Sequence, residues 1–231
     1  MIELLLPRGV GSAEVFDDPA DAQLLPAEEV LVVQAVAKRR REFTTARHCG
    51  RQALGQLGID PVPILRGERG MPLWPPNVVG SLTHCDGYRA AVAAYSMQVR
   101  SLGIDAEPHL ALPDGVLSHT SVAAEREVLA ERSDDLHWDR LLFCAKEATY
   151  KAWFPVTGRW LGFEDAHITF TRDERVVADP NAGPDEIVAA GAFTSTILID
   201  GTATDGGPPL LTLPGRWLIS GGLILTSVAL V

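Results

Sequence analysis

Two acidic clusters about forty residues apart hold the side chains best suited to chemistry: Asp105 and Glu107 in Ser101-Leu102-Gly103-Ile104-Asp105-Ala106-Glu107, and Glu147 and Lys151 in Phe143-Cys144-Ala145-Lys146-Glu147-Ala148-Thr149-Tyr150-Lys151. Residues two apart on an extended chain face the same side, so Asp105 and Glu107 can look at one ion. Residues four apart on a helix lie one above the other, so Glu147 and Lys151 offer a third carboxylate and a cation together. Mg²⁺ usually takes one or two protein carboxylates and keeps water and phosphate oxygens. A metal-phosphate site fits this set. Each cluster taken alone is equally a strand end with a solvated turn, or a helix with a surface ion pair.

These side chains need elements to hold them. Val99 to Ile104 reads as a strand leading into the first cluster, and Trp138 to Phe154 as a helix that Pro155 stops. Upstream, Pro26-Ala27-Glu28-Glu29 resembles a helix start, which predicts one long helix as far as Leu57 with Gly58 as its stop. That helix would turn Val30, Val33, Val36, Phe43, Ala46 and Leu54 to a core. Its middle is basic, Lys38-Arg39-Arg40-Arg41 followed by Arg47 and Arg51, with Arg40, Arg47 and Arg51 on one stripe. In an acidic chain this is a candidate anion patch.

The proline- and glycine-rich stretch 61–76 carries Arg66-Gly67-Glu68-Arg69-Gly70, which either wraps a phosphate or forms a solvated turn. Val78 to Thr83 and Ala90 to Tyr95 read as a hairpin turning at Asp86-Gly87, with His84 near the bend. A helix over Ala123 to Glu131 is expected, then strands over 167–171, 192–199, 215–220 and 223–231, with an exposed loop over 200–209. Helices and strands occur in both halves without regular alternation. That is an α+β pattern with antiparallel sheets. No repeat is evident in the letters.

Composition narrows the function. The 231 residues carry 20 Lys+Arg and 30 Asp+Glu, a formal charge of −10, so nonspecific nucleic-acid binding, which needs a broad basic surface, is not expected. Cys49, Cys85 and Cys144 are too scattered for a disulfide framework. The adjacent pairs His48-Cys49 and His84-Cys85 lack the spacing of structural zinc sites. A reducing, cytoplasmic setting is expected. The apolar start, Ile2 to Leu6, lacks the features of a signal peptide, and Gly221 to Val231 is too short for a membrane helix, so no membrane insertion is expected.

Taken in order, Gly80-Ser81-Leu82-Thr83-His84-Cys85, Gly103-Ile104-Asp105-Ala106-Glu107, the segment from Phe143 to Pro155, and Arg159-Trp160-Leu161-Gly162-Phe163-Glu164-Asp165 resemble the signature of the Sfp-type 4′-phosphopantetheinyl transferases, nearest an actinobacterial branch. Trp74-Pro75-Pro76 adds to the match. The resemblance implies transfer of phosphopantetheine from coenzyme A to a serine of acyl or peptidyl carrier domains of fatty-acid, polyketide or nonribosomal-peptide synthesis, releasing adenosine 3′,5′-bisphosphate. It implies two similarly folded, pseudo-twofold α+β halves, residues 1–103 and 104–231, in a working monomer with coenzyme A in the cleft between them. Asp105 and Glu107, with the Ala106 carbonyl, would bind Mg²⁺. Glu147 would complete the metal site or deprotonate the serine, and Lys151 would neutralise or protonate the departing phosphate. Arg39, Arg47 and the loop Arg66, Gly67, Glu68 and Arg69 match coenzyme A contacts, Thr83 and His84 a phosphate contact, and Leu161 the pantetheine path. The chain has arginines at 66 and 69 where relatives often have lysine, and Ala106 offers only backbone to a metal. Two other readings keep part of this chemistry: a Mg²⁺-dependent phosphohydrolase of coenzyme A, and a nonenzymatic coenzyme A or carrier-binding protein.

Overall fold

The computed structural model describes residues 1–132, 136–176 and 187–231. The chain opens with a 3-10 turn at Ile2–Leu5 and strand β1 (Gly11–Val15), then α1 (Pro26–Glu29) and the long α2 (Ala37–Gln56). A small pair, β2 (Leu65–Arg66) and β3 (Pro72–Leu73), precedes the hairpin β4 (Val78–Cys85) and β5 (Tyr88–Tyr95). Then come β6 (Ser101–Pro108), α3 (Val116–Thr120), α4 (Ala123–Ala130) and the long α5 (Trp138–Thr157), followed by β7 (Ala166–Arg172), β8 (Ile187–Ile197), β9 (Thr212–Ser220) and β10 (Leu223–Leu230). The strands form antiparallel sheets ordered β1-β5-β4 and β6-β10-β9-β8-β7. The α+β expectation holds.

The two halves repeat one plan. Each begins with a strand, continues through a short helix into a 20-residue helix, and ends with a hairpin that pairs back onto the first strand. The likeness reaches single residues. Glu28, third residue of α1, is fully buried, accepts from Leu25 N and Ile64 N, and pairs with Arg51 of α2 at 2.8 Å. Glu125, third residue of α4, accepts from Val122 N and Ile168 N and pairs with Lys146 of α5 at 2.8 Å. Gly11 of β1 lies so close to α2 that a Cβ would stand 2.5 Å from the Ala53 carbonyl oxygen, and Gly103 of β6 so close to α5 that one would stand 2.0 Å from that of Ala148. Burying a lone carboxylate is costly, so each node is held by a cation and by backbone donors.

Two expectations fail. The first long helix is broken: α1 ends at Glu29, a 3-10 turn takes Val30–Val32, and Val36 is extended with ψ 155° before α2 starts. β-Branched valines favour such a break, and the Glu28 node fixes where α1 must point. Val30, Val33 and Val36 are therefore exposed at 69%, 70% and 74%, and Val32 is buried instead. Pro155 does not stop α5 either. The helix runs to Thr157 and closes on Gly158 at φ 64°, whose N–H donates to the Phe154 carbonyl. In the last turn a proline forfeits only one backbone bond, and the left-handed glycine supplies the stop.

The edges of the two main sheets meet at β4 and β6 without forming a ladder. Two hydroxyls bridge them instead: Ile104 N donates to Ser81 Oγ at 3.1 Å and Ala106 N to Thr83 Oγ1 at 3.1 Å. α2 and α5 flank this seam.

Candidate active site

A cleft of about 540 Å³ follows the seam, and its wall includes Arg39, Arg47, Arg69, His84, Glu147 and Lys151. Its apolar lining includes Phe43, Leu73, Val78, Leu102 and Phe154. Three arginines in a protein of charge −10 make this a local anion site with a partly apolar floor.

At the seam, Lys151 Nζ donates to Asp105 Oδ1 at 2.7 Å and to the Ile104 carbonyl at 3.0 Å, and Thr83 Oγ1 donates to the same Oδ1 at 3.0 Å. Asp105 Oδ2 is buried and has no hydrogen-bond partner among the described residues. Glu107, two residues along β6, accepts from Arg140 Nη1 at 2.9 Å. Burial and the neighbouring Asp105 both push the Glu107 and Glu147 carboxyls above the usual carboxylate range. Lys151 is held above the ordinary lysine range by Asp105 and Glu147, which outweigh its burial. Glu147 and Lys151 stand together on α5, as the four-residue spacing requires.

Among the described residues, no three His, Cys, Asp or Glu side chains form a ready metal cage. The donor chemistry nevertheless fits a hard divalent cation: a buried carboxylate oxygen lacks a partner, and two further carboxyls are destabilised by the first. Asp105 and Glu107 are the first choices for its ligands. Ala106 is buried between them, with its N–H committed to Thr83.

The anion side is built on α2 and β4. Arg39 Nη1 lies 2.6 Å from His84 Nε2. Burial, then Arg39, pushes the His84 ring below the usual imidazole range. Arg47 is buried, lies over the Phe43 ring at 3.6 Å, and spends Nε on the Ile64 carbonyl. Burial lowers its pKa to about 10, with Glu28 opposing the fall and Arg66, Arg39 and Arg51 adding to it. An anion arriving there meets a guanidinium short of counter-charge. Arg51 of the predicted stripe is not free for this role, since it is bonded to Glu28.

Arg69 takes a left-handed backbone, φ 50°, lines the cleft, and lies with its guanidinium 5.2 Å from the Trp160 ring. Arg66, Gly67 and Glu68 occupy the same loop but are not among the cleft-lining residues. Leu161 is buried in the core of the carboxyl-terminal half, also outside the cleft lining.

Three cleft or seam residues were missed in the sequence. Glu42 lines the cleft between Arg39 and His84. Tyr150 lines it beside Trp160, with ring centroids 5.1 Å apart and a buried hydroxyl unpartnered among the described residues. Arg140 holds Glu107. Its position two helical turns before Glu147 was a usable signal, because residues seven apart share a helix face.

Two α+β halves enclosing a cationic, partly apolar cleft beside a cluster of carboxylates define a protein that handles a phosphorylated substrate with an apolar portion. Comparison with known sequences agrees. The model of the 4′-phosphopantetheinyl transferase N-terminal domain matches residues 27–94, and that of the 4′-phosphopantetheinyl transferase superfamily matches residues 101–190. The chain is 56% identical over 229 residues to the 4′-phosphopantetheinyl transferase Npt of Nocardia iowensis, covering 99% of both chains. It is 55% identical over 219 residues to PptT of Mycobacterium tuberculosis, covering 94% of this chain and 91% of that one. With Svp of Streptomyces mobaraensis it shares 45% over 235 residues, covering 99% and 89%. The chain belongs to the 4′-phosphopantetheinyl transferase superfamily.

Proposed function

We propose that this protein moves the phosphopantetheine arm of coenzyme A onto a serine of acyl or peptidyl carrier domains, with adenosine 3′,5′-bisphosphate as the second product. The observation that carries the reading is the meeting, in one cleft, of Arg39, Arg47, Arg69 and His84 with Glu147 and Lys151, beside Asp105 and Glu107. Relatives named as such transferases over nearly the whole chain support it.

In this mechanism the arginines and His84 seat the phosphates, since a guanidinium fork gives a phosphate two donors at once. Thr83 and the loop from Arg66 to Arg69, with Gly67 and Glu68, complete the coenzyme A contacts, and Leu161 backs the pantetheine path from the core. Glu147 takes the proton from the carrier serine, helped by burial and the neighbouring Asp105, which raise its proton affinity above that of an ordinary carboxylate. The serine Oγ forms a bond to the β-phosphorus as the bond to the bridging oxygen breaks. Lys151 acts by charge on the leaving phosphate, because its proton is held too firmly to be given away easily. Asp105, Glu107 and the Ala106 carbonyl would hold Mg²⁺, which when bound neutralises charge developing on the pyrophosphate. A boundary between the halves near residues 103 and 104, in the first part of β6, monomeric action and a cytoplasmic setting belong to the same reading. No helix of the described residues is long and apolar enough to cross a membrane.

Incubation with coenzyme A, Mg²⁺ and a panel of apo carrier domains tests this by intact mass. A phosphopantetheine increment on a carrier is expected. No increment on any carrier, with coenzyme A cleaved in its absence, replaces the transferase by a phosphohydrolase.

A further inference from the structure

The cationic end of the cleft contains a carboxylate. Glu42 lies 3.5 Å from Arg39 Nη1 and 3.4 Å from His84 Nε2, with its side chain only 12% exposed. A negative charge opposes phosphate binding, so its place at this end needs a reason. The hydrogen bonding supplies one. A guanidinium has donors and no acceptor, so the 2.6 Å contact makes His84 Nε2 the acceptor and leaves the ring proton on Nδ1. Arg39 Nη1 is then spent on the ring, and Nε2 has no proton to offer an anion.

We propose that Glu42 is a positioning residue that holds Arg39 and His84 at the phosphate end of the cleft and causes coenzyme A binding to take up one proton at His84 Nε2. The proposal rests on the coenzyme A reading above. When a phosphate arrives, Arg39 turns to its oxygens and Nε2 loses its donor. A proton from solvent then binds Nε2, and the imidazolium lies between the phosphate and Glu42. Before binding, burial first and then the surrounding cations disfavour a charged ring: Arg39 on α2, Lys151 on α5, and Arg89, directly opposite His84 across the hairpin. Glu42 alone opposes them within this group, while Lys38 and Asp86 near the bend satisfy each other. A phosphate dianion reverses that balance, and Glu42 makes the reversal complete.

Calorimetric titration of coenzyme A into the protein at pH 8, in two buffers of different ionisation heat, counts the protons. Phosphate monoesters are already dianionic there, with a second pKa of about 6, so they do not contribute. Uptake of roughly one proton per coenzyme A is expected, falling to near zero in His84→Gln. In Glu42→Gln, uptake at pH 8 falls and affinity weakens by up to about tenfold, as one pKa unit implies, while at about pH 10, where the ring of the complex has lost its proton, the affinities of the two proteins converge. Loss of affinity to the same extent at both pH values overturns the role given to Glu42. Coenzyme A binding without proton uptake, as when the ring proton simply moves to Nε2, overturns the inference and leaves the transferase reading standing. Failure to bind coenzyme A at all overturns both. The buffer dependence of the native protein decides the matter even if Glu42→Gln does not fold.

Discussion

Replacing Gly103 by alanine separates the two tasks of the β6–α5 contact. The added Cβ would stand 2.0 Å from the Ala148 carbonyl oxygen, 2.6 Å from Ala152 N and 3.0 Å from Ala152 Cβ. All three belong to the helix itself, so no side-chain rotation relieves the clash. Reaching ordinary contact at 3.4 Å requires the strand and helix to part by roughly 1.4 Å. The stability cost of such overpacking is about 1–3 kcal/mol. Parting them also moves Glu147 and Lys151 on α5 away from Asp105 and Glu107 on β6. A misplacement of about 1 Å in a catalytic array costs on the order of 100-fold in rate. Gly11→Ala is the matched control, because its Cβ meets the Ala53 carbonyl at 2.5 Å in the other half, where β1 carries no catalytic group. Urea denaturation and carrier modification at saturating coenzyme A measure both variants. Comparable destabilisation is expected, with kcat falling about 100-fold in Gly103→Ala and only a few-fold in Gly11→Ala. A Gly103→Ala enzyme that turns over within three-fold or so of the native rate would refute the reasoning.

Removing either buried node acid should cost about 3–5 kcal/mol, because Glu28→Ala strands Arg51 and Glu125→Ala strands Lys146; chemical denaturation reads this, and a loss below about 1 kcal/mol speaks against the node assignment. Glu147→Gln should abolish carrier modification yet raise stability at pH 7 in the presence of a chelator. The sign follows from the raised carboxyl: the folded chain prefers the protonated form, so ionised Glu147 costs stability as pH rises through its folded pKa, and glutamine removes that cost. A melting temperature below the native one would contradict it. Arg140→Met takes away the bond and charge that counter burial at Glu107, so the acid limb of the activity profile should move to higher pH, with an unshifted limb as the adverse result.

Much of the site was legible because its spacing is short range. Two-residue spacing on β6 and four-residue spacing on α5 fix their side-chain faces whatever the rest of the chain does. The hairpin from Val78 to Tyr95 was equally plain, since Asp86-Gly87 marks its turn and Gly87 takes φ 75°. The break before α2 was not legible, because it depends on Glu28 reaching Ile64, 36 residues away. Glu42 and Arg140 were passed over for a related reason: each reads as an ordinary surface charge until its partner on another element is known. The internal repeat also escaped notice in the letters, since Arg51 answers to Lys146 and Gln56 to Lys151. Gln56 Nε2 still donates to the Ser12 carbonyl as Lys151 Nζ does to that of Ile104. What the halves share is backbone placement, which several side chains can satisfy.

The hydroxyl bridges between β4 and β6 bear on how two sheet edges can lie side by side. Each strand is the outer member of its sheet, and an uncovered outer strand invites another molecule to pair with it. A continuous ladder between them would hide both but close the groove that the substrate needs. Ser81 and Thr83 occupy the two N–H groups of Ile104 and Ala106 with side chains, so the seam stays shielded from self-association while remaining open above. An enzyme assembled from two like halves thereby sets its reactive surface beside one outer strand of each sheet, and joins them there with two small hydroxyl groups.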